Sequence, residues 1–149
     1  MIPLSLRLGG IYSYEQVQEV QFERLLEGQL FGIFGAVGSG KSTILEAMSF
    51  ALYGETERLN LRDSRGYNMM NLNSKELLVD FTFQAGVHDQ RYRFVVEGKR
   101  NAKQFDKVNT FSRKAYKEQA AEWVPIGVST AEEITGLSYQ NFRRTIIIP

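Results

Sequence analysis

The chain has 149 residues, with 18 basic and 17 acidic side chains, one histidine and no cysteine. A chain of this length is expected to form one domain over residues 1–149. Its composition excludes disulfides, thiolate metal sites and histidine-rich metal clusters. It contains no apolar run of about 20 residues and no basic-then-apolar leader, so we expect no membrane partner and a reducing, cytoplasmic location.

Two strands are predicted near the N-terminus. Residues 2–8 alternate, with Leu4, Leu6 and Leu8 on one face, which is typical of a half-buried strand. After Gly9 and Gly10, a second extended stretch over residues 17–22 places Val20 and Phe22 on one face.

The segment from Gly35 to Thr43 carries the clearest chemistry, because GAVGSGKS matches GxxxxGK[ST] at every fixed position. Glycines allow backbone N–H groups to converge on a polyphosphate that side chains would block. The helix that follows directs its unpaired N–H groups at the same anion. Lys41 is predicted to reach the β- and γ-phosphates and to act in catalysis, and the Ser42 hydroxyl is predicted to bind Mg²⁺.

The flanking sequence supports this interpretation. The apolar run from Leu30 to Phe34 predicts a buried strand before the loop, and residues 43–53 predict a helix that ends at Gly54. A glycine turn with an incidental lysine is the alternative, but it does not account for this strand-loop-helix context. The predicted nucleotide-binding residues are Gly35, Val37, Gly38, Ser39, Gly40, Lys41, Ser42 and Thr43.

Residues 55–76 are polar and predict a loop or short irregular helices, in which Met69 and Met70 serve packing. Residues 77–84 and 90–97 predict an antiparallel hairpin, with His88 in a solvated turn. A polar turn over residues 98–104 should lead to one or two further strands that end near residues 123–126, although residues 113–122 are also compatible with a helix.

Two short helices are predicted near the C-terminus. Ser129 or Thr130 can cap the first, with Glu132 or Glu133 as the capping-box partner and Gly136 at its end. Ser138 can cap the second, over residues 139–144. Residues 146–148 are apolar and precede Pro149, and because an unpaired hydrophobic strand invites aggregation, we expect the chain to be a fragment.

ATP hydrolysis also requires an acidic residue at the end of a buried strand. The local match is Asp80 within residues 77–81, which lacks a following acid. A strand that carries this acid should be apolar on both faces, whereas this one alternates. We therefore interpret Asp80 as a solvent-facing strand position, with a magnesium-site residue as the alternative.

The charge is distributed unevenly along the chain. Residues 91–117 hold nine basic and two acidic side chains, a balance of +7, whereas residues 1–60 hold four basic and seven acidic ones, a balance of −3. The basic segment is interleaved with aromatic residues and predicts a DNA-binding surface. A solvated strand face is the alternative. The candidate DNA contacts are Arg91, Arg93, Lys99, Arg100 and Lys103.

Three stretches of this chain resemble the SbcC family, the ATPase subunit of the SbcC–SbcD DNA exonuclease. These are residues 6–22, the phosphate loop continued through residues 47–54, and residues 134–142 followed by 146–149. The family is related to the structural-maintenance-of-chromosomes proteins. Two strands before the loop are also more typical of ATP-binding-cassette enzymes than of small GTPases or nucleoside kinases.

The resemblance implies an α/β fold, that of a P-loop NTPase of ATP-binding-cassette type, with an antiparallel β subdomain, forming the N-terminal half of an ATPase head. It implies ATP and Mg²⁺ as cofactors and Tyr12 and Ser13 as further nucleotide contacts. Family members often carry a polar residue or glycine at the position of Val37. The resemblance therefore implies no contact between the Val37 side chain and the nucleotide.

The implied partners are a C-terminal lobe of the same chain beyond a coiled coil, a second head in a homodimer, an SbcD-type nuclease subunit and double-stranded DNA. The implied setting is the cytoplasm, in association with the nucleoid. The acids missing here would come from the C-terminal lobe, so we expect the isolated fragment to be inactive. A small-molecule P-loop kinase and a DNA-tethering module are the alternatives.

Overall fold

A six-stranded antiparallel sheet forms the scaffold of this computed structural model, which describes residues 1–28, 32–56 and 66–146. The strand order is β2-β1-β3-β4-β5-β6. The strands are β1 (Ile2–Gly9), β2 (Gln18–Gln21), β3 (Glu76–Ala85), β4 (Gln90–Arg100), β5 (Val108–Gln119) and β6 (Glu122–Ile126). The predicted N-terminal strands and the hairpin are therefore confirmed.

Within the described residues, three α-helices accompany the sheet: α1 (Lys41–Tyr53), α2 (Glu132–Thr135) and α3 (Tyr139–Ile146). In the same part of the chain, 3-10 helices span Glu23–Gly28 and Gly66–Met69. Of the helices in the described part of the chain, none has the length and apolar character that a membrane crossing requires.

The hydrophobic core lies between α1 and one face of the sheet. Alternate residues of β1 and β3, such as Leu6 and Phe81, pack against Ala47, Ala51 and Leu52 of α1. Ten of the 13 residues of α1 are buried, as its near-continuous apolar sequence predicts. The helix that carries Lys41 is therefore anchored along most of its length.

The predicted C-terminal ends of α1 and α2 and the predicted cap of α3 are confirmed. Gly54 adopts a left-handed conformation with φ of 73°, and its N–H donates to the Phe50 carbonyl at 2.8 Å. Gly136 ends α2 in the same way, with φ of 69°. The Ser138 hydroxyl accepts the Asn141 N–H at 3.3 Å at the start of α3.

The predicted strand before the phosphate loop is wrong over its described part. Residues 32–36 have no regular secondary structure, and Phe34 is 93% exposed. Leu30 and Phe31 lie outside the described residues. A strand that is apolar on both faces requires neighbours and cover on both sides. Within the described ranges no strand pairs with residues 32–34, which explains why the apolar pattern alone does not form one.

Downstream, one local prediction is corrected and one is confirmed. Residues 98–100 continue β4 and do not form a turn. The further strands predicted to end near residues 123–126 are present as β5 and β6, so the helix alternative over residues 113–122 is not realised. In both places cross-strand pairing overrides local propensity, because β5 bonds to β4 on one side and to β6 on the other. The connection between β4 and β5 therefore begins at Asn101.

Asp80 is neither solvent-facing nor arranged as a magnesium ligand, so both interpretations of it are wrong. It is 5% exposed, and its two carboxylate oxygens accept Nε–H and Nη2–H of Arg93 at 2.8 and 2.7 Å. Arg7 lies 3.5 Å away. The hydrogen bond to Asp80 is the main cause of a raised Arg93 pKa. Asp80 is covered because β1 and β4 flank its strand and supply these arginines.

Candidate phosphate-binding site

At two positions, the loop before α1 adopts a backbone conformation that glycine accepts more easily than any other residue. Gly38 and Gly40 have φ of 84° and 88°, in the left-handed region. A Cβ atom at Gly40 would lie 2.7 Å from the Tyr14 ring and 2.9 Å from the Ser13 hydroxyl. The glycines thus let the chain turn sharply into α1, whose first N–H groups and dipole point into the loop.

The ammonium group of Lys41 is hydrogen-bonded to three oxygens of the loop. Nζ donates to the carbonyls of Gly35 and Ala36 at 2.6 and 2.7 Å, and to the Ser39 hydroxyl at 3.3 Å. A lysine ammonium has three donors, and all three are used here. A phosphate that approaches Lys41 must therefore share or replace one of these bonds, and the Ser39 contact is the longest.

The loop and the Tyr12–Ser13 turn line one cavity of about 420 Å³. This volume falls in the range of small-molecule sites. Its lining brings together Tyr12, Ser13, Val37, Gly38, Ser39, Gly40, Lys41, Ser42 and Thr43. Gly35, the remaining predicted residue, contributes its carbonyl to Lys41. The structure therefore gathers all the predicted nucleotide-binding residues at one place.

The Tyr12–Ser13 turn is held rigidly beside the loop. Tyr12 has a positive φ of 46°, its N–H donates to the Met69 carbonyl at 2.7 Å, and its carbonyl accepts Asn71 Nδ2–H at 2.8 Å. Tyr14 Oη lies 3.5 Å from the Gly40 carbonyl. Sequence reasoning assigned no site role to Tyr14 or Asn71. Tyr14 lies in a stretch that carries the resemblance, whereas Asn71 has no signal in its polar surroundings.

The residues of this loop fit a polyphosphate with a divalent cation. Lys41 supplies the positive charge, α1 supplies N–H donors, and the exposed Ser42 hydroxyl supplies an oxygen ligand. Over residues 1–28, 32–56 and 66–146, no group of three acidic, histidine or cysteine side chains could hold a metal. At this loop, the Ser42 hydroxyl and the phosphate oxygens would hold magnesium.

The segment before α3 is tied to the end of α1. Ala131 N–H donates to the Leu52 carbonyl at 2.8 Å, and Tyr53 Oη donates to the Leu137 carbonyl at 2.9 Å. Burial raises the pKa of Tyr53. The third stretch of the resemblance therefore packs against the helix that begins at Lys41.

The predicted cap of α2 is confirmed only for its acidic partner, Glu133, because the N-cap is Ala131, which makes no side-chain cap bond, and not Ser129 or Thr130. The Glu133 carboxylate accepts the Ser129 N–H and hydroxyl, both at 2.8 Å. The Ser129 backbone hydrogen bond is the main cause of a lowered Glu133 pKa. On the other side, the Ser129 carbonyl accepts Nη2–H of Arg113, whose pKa is lowered by burial.

The five candidate DNA contacts do not share one surface. Arg91 pairs with Glu23 at 2.9 Å, and Lys99 lies 3.6 Å from Glu76. Arg93 is committed to Asp80, as described above. Lys103 is exposed in the connection between β4 and β5.

Arg100 has to be removed from this set. It is 8% exposed, and its guanidinium donates to three backbone carbonyls, those of Ser74, Asn71 and Phe105. The alternation of β4 explains the difference, because Arg91, Arg93 and Lys99 share one face and Arg100 lies on the other.

Comparison with known families identifies the class of protein. The AAA domain family matches residues 5–147, nearly the whole chain. The chain therefore belongs to this family of P-loop ATPase domains, in agreement with the loop geometry at Lys41.

Individual relatives show which members of this class the chain resembles. The chain is 35% identical to the SbcC subunit of the nuclease SbcCD of Clostridium acetobutylicum and 32% identical to that of Bacillus subtilis, in each case over 100% of this chain and 13% of the relative. It is 28% identical to a Probable DNA double-strand break repair Rad50 ATPase of Aquifex aeolicus, over 100% of this chain and 14% of that protein. The predicted resemblance to the SbcC family is confirmed, and the chain spans about one seventh of these relatives.

Proposed function

We propose that this chain is the N-terminal ATP-binding lobe of an ATP-binding-cassette ATPase that serves a DNA double-strand-break-repair nuclease. The observation that carries the proposal is the cradle around Lys41, in which carbonyls hold an ammonium group at the start of a buried helix. The similarity to the SbcC subunits of SbcCD nucleases supports the DNA-processing context.

Each group of the cradle has a distinct role in this proposal. The α1 N–H groups and Lys41 bind and orient the β- and γ-phosphates, and Lys41 offsets negative charge that develops during transfer. Ser42 would hold Mg²⁺, which would supply positive charge that neutralises the phosphates. Tyr12 and Ser13 border the cavity and contact the nucleotide beyond the phosphates.

Completion of the site by other surfaces is also part of the proposal. The exposed apolar side chains of Ile33, Phe34 and Val37 next to the loop support a covering partner, since such residues seldom cluster in contact with water. We assign this cover to a C-terminal lobe beyond a coiled coil and to a second head in a homodimer. The remaining partners are an SbcD-type nuclease subunit and double-stranded DNA, in the nucleoid region of the cytoplasm.

The test is ATP binding by the Lys41→Ala variant, measured by calorimetry in the full-length protein. Loss of charge-assisted hydrogen bonds should weaken binding by about 2 kcal/mol. Lys114→Ala, which removes an exposed lysine of β5, is the matched control and should bind ATP as the parent does. Equal affinity of the Lys41→Ala variant and the parent would show that the assignment is wrong.

The isolated chain should hydrolyse ATP negligibly, because Asp80 is committed to Arg93 and no acidic side chain is among the described residues that line the cavity at the loop. Phosphate release by the purified chain, with the Lys41→Ala variant as background, measures this. Turnover that depends on Lys41 in the chain alone would contradict the proposed need for a second lobe.

A further inference from the structure

The connection between β4 and β5, residues 101–107, forms a rigid basic tip. Asn101 organises it: its Oδ1 accepts the N–H groups of Lys103 and Gln104 at 2.8 and 3.0 Å. The Asn101 N–H donates to the Lys107 carbonyl at 2.8 Å, and its side-chain amide donates to Asn109 at 2.8 Å. These bonds fix the backbone of the tip.

The tip presents an aromatic ring to solvent in a fixed orientation. Phe105 is 55% exposed, and the Arg100 guanidinium lies 4.0 Å from the centre of its ring. Arg100 also donates to the Phe105 carbonyl at 2.6 Å, and to the carbonyls of Ser74 and Asn71 at 3.2 and 3.1 Å. The buried arginine thus supports one side of the ring and anchors it to the neighbouring segment.

Charge selects the kind of partner that fits this ring. Residues 101–107 carry two basic side chains, Lys103 and Lys107, and one acidic side chain, Asp106, a balance of +1. Lys103 and Lys107 flank Phe105 and are exposed. A fixed aromatic ring between lysines matches the way in which proteins bind single-stranded nucleic acid, with bases stacked on rings and phosphates on basic side chains.

We propose that this tip is a stacking platform for an unpaired base of DNA, with Phe105 against the base and Lys103 and Lys107 on the adjacent phosphates. A base inside an intact duplex offers no free face, so the tip distinguishes an unpaired end or overhang from continuous duplex. The proposal rests on the proposed function for its choice of DNA as the partner.

The experiment uses the full-length protein and a single-stranded DNA that carries the fluorescent base 2-aminopurine. Phe105→Ala should weaken binding about 5- to 150-fold and abolish the quenching that stacking produces. Phe105→Trp should retain both, and Val87→Ala, which truncates a 95% exposed apolar side chain in the β3–β4 turn, should change neither. Lys103→Ala should lower the dependence of affinity on salt by about one counterion.

The outcomes separate this proposal from the ATP-binding one, because ATP affinity is measured on the same variants. Unchanged DNA affinity and quenching in Phe105→Ala would overturn the platform, while Lys41-dependent ATP binding would stand. Equal loss on duplex and on single strands would overturn its selectivity for unpaired bases. Loss of binding to a protein subunit with DNA binding intact would reassign the tip to protein docking. Thermal unfolding at the parental temperature would show that Phe105→Ala remains folded.

Discussion

Two cations of this chain are surrounded by backbone oxygens, and the comparison between them separates a binding group from a structural one. Lys41 donates to the carbonyls of Gly35 and Ala36 and to one hydroxyl, and it is half-exposed at the mouth of a cavity. Arg100 donates to three carbonyls and is buried. The number of oxygen partners is the same, but access to solvent differs.

The chemistry of the two side chains explains the two outcomes. An ammonium is a compact charge with rotatable donors, so Lys41 can exchange the Ser39 hydroxyl for a phosphate oxygen without losing its loop carbonyls. A guanidinium is a planar fork whose donors keep fixed directions, so Arg100 ties together segments that are distant in sequence. Basic charge alone therefore does not identify a ligand-binding residue, whereas replaceable hydrogen bonds at a cavity do.

The largest expected effect is on folding, at Arg100. Arg100→Ala should lower the free energy of unfolding by about 3 kcal/mol, because three carbonyls lose their donors and Phe105 loses its support. Denaturant titration measures this. The control is Arg91→Ala, which removes a more exposed ion pair with Glu23 and should cost less than about 1 kcal/mol. A loss at Arg100 as small as that at Arg91 would remove the structural half of the comparison.

Lys41→Ala should affect ATP binding strongly and the free energy of unfolding only weakly, in contrast to Arg100→Ala. Beyond the loss of about 2 kcal/mol in ATP binding, its free energy of unfolding should change by less than about 0.5 kcal/mol, because its oxygen partners lie in an exposed loop that water can reach. The same denaturant titration without nucleotide measures this. A destabilisation as large as that of Arg100→Ala would mean that Lys41 holds the fold together.

The predictability of these two residues differs for a physical reason. The loop at Lys41 and the start of α1 are predictable because their conformation is set by residues within one short segment. The DNA-contact assignment of Arg100 fails because it rests on the basic composition of residues 91–117, which does not specify strand faces. In the structure β4 continues to residue 100, and its alternation turns this side chain to the opposite face from Lys99. Its oxygen partner at Asn71 has no sequence signal, since a backbone carbonyl is present at every residue.

Two predictions fail because a local sequence pattern contains no information about neighbouring strands: the interpretation of Asp80 and the strand predicted before the phosphate loop. The alternation within β3 predicts which face Asp80 lies on, but its burial depends on Arg7 and Arg93, which come from the adjacent strands. The apolar run before the loop has the composition of a strand, but a strand requires a pairing partner that the described residues do not place beside Ile33. Local pattern predicts what a segment is able to form, and long-range contacts decide what it does form.

Ser39 offers a finer test of the replaceable bond. Ser39→Ala removes the longest of the three contacts of Lys41 and leaves one ammonium donor ready for phosphate. We expect ATP to bind more tightly by less than about 1 kcal/mol, as calorimetry would measure. Ser49→Ala on α1, whose hydroxyl bonds to the Leu45 carbonyl away from the loop, is the control and should leave ATP affinity unchanged. Weaker binding by Ser39→Ala would indicate that this hydroxyl contacts the nucleotide directly.

The smallest expected effect extends the comparison to an anion, Glu133, which is held by the Ser129 and Thr130 N–H groups and the Ser129 hydroxyl. The Ser129 backbone bond is the main cause of a Glu133 pKa below its ordinary value of 4.5. A lowered folded-state pKa means that the contribution of Glu133 to stability is present above the unfolded-state pKa and is lost as the pH falls through the folded-state pKa.

The free energy of unfolding of the parent should therefore exceed that of Glu133→Gln at neutral pH, and this gap should close in the acid range below the ordinary glutamate pKa. Glu122→Gln, at the exposed start of β6, is the control and should follow the parent at every pH. A gap for Glu133→Gln that persists unchanged in acid would show that the carboxylate shape, and not its charge, organises the turn that packs on α1.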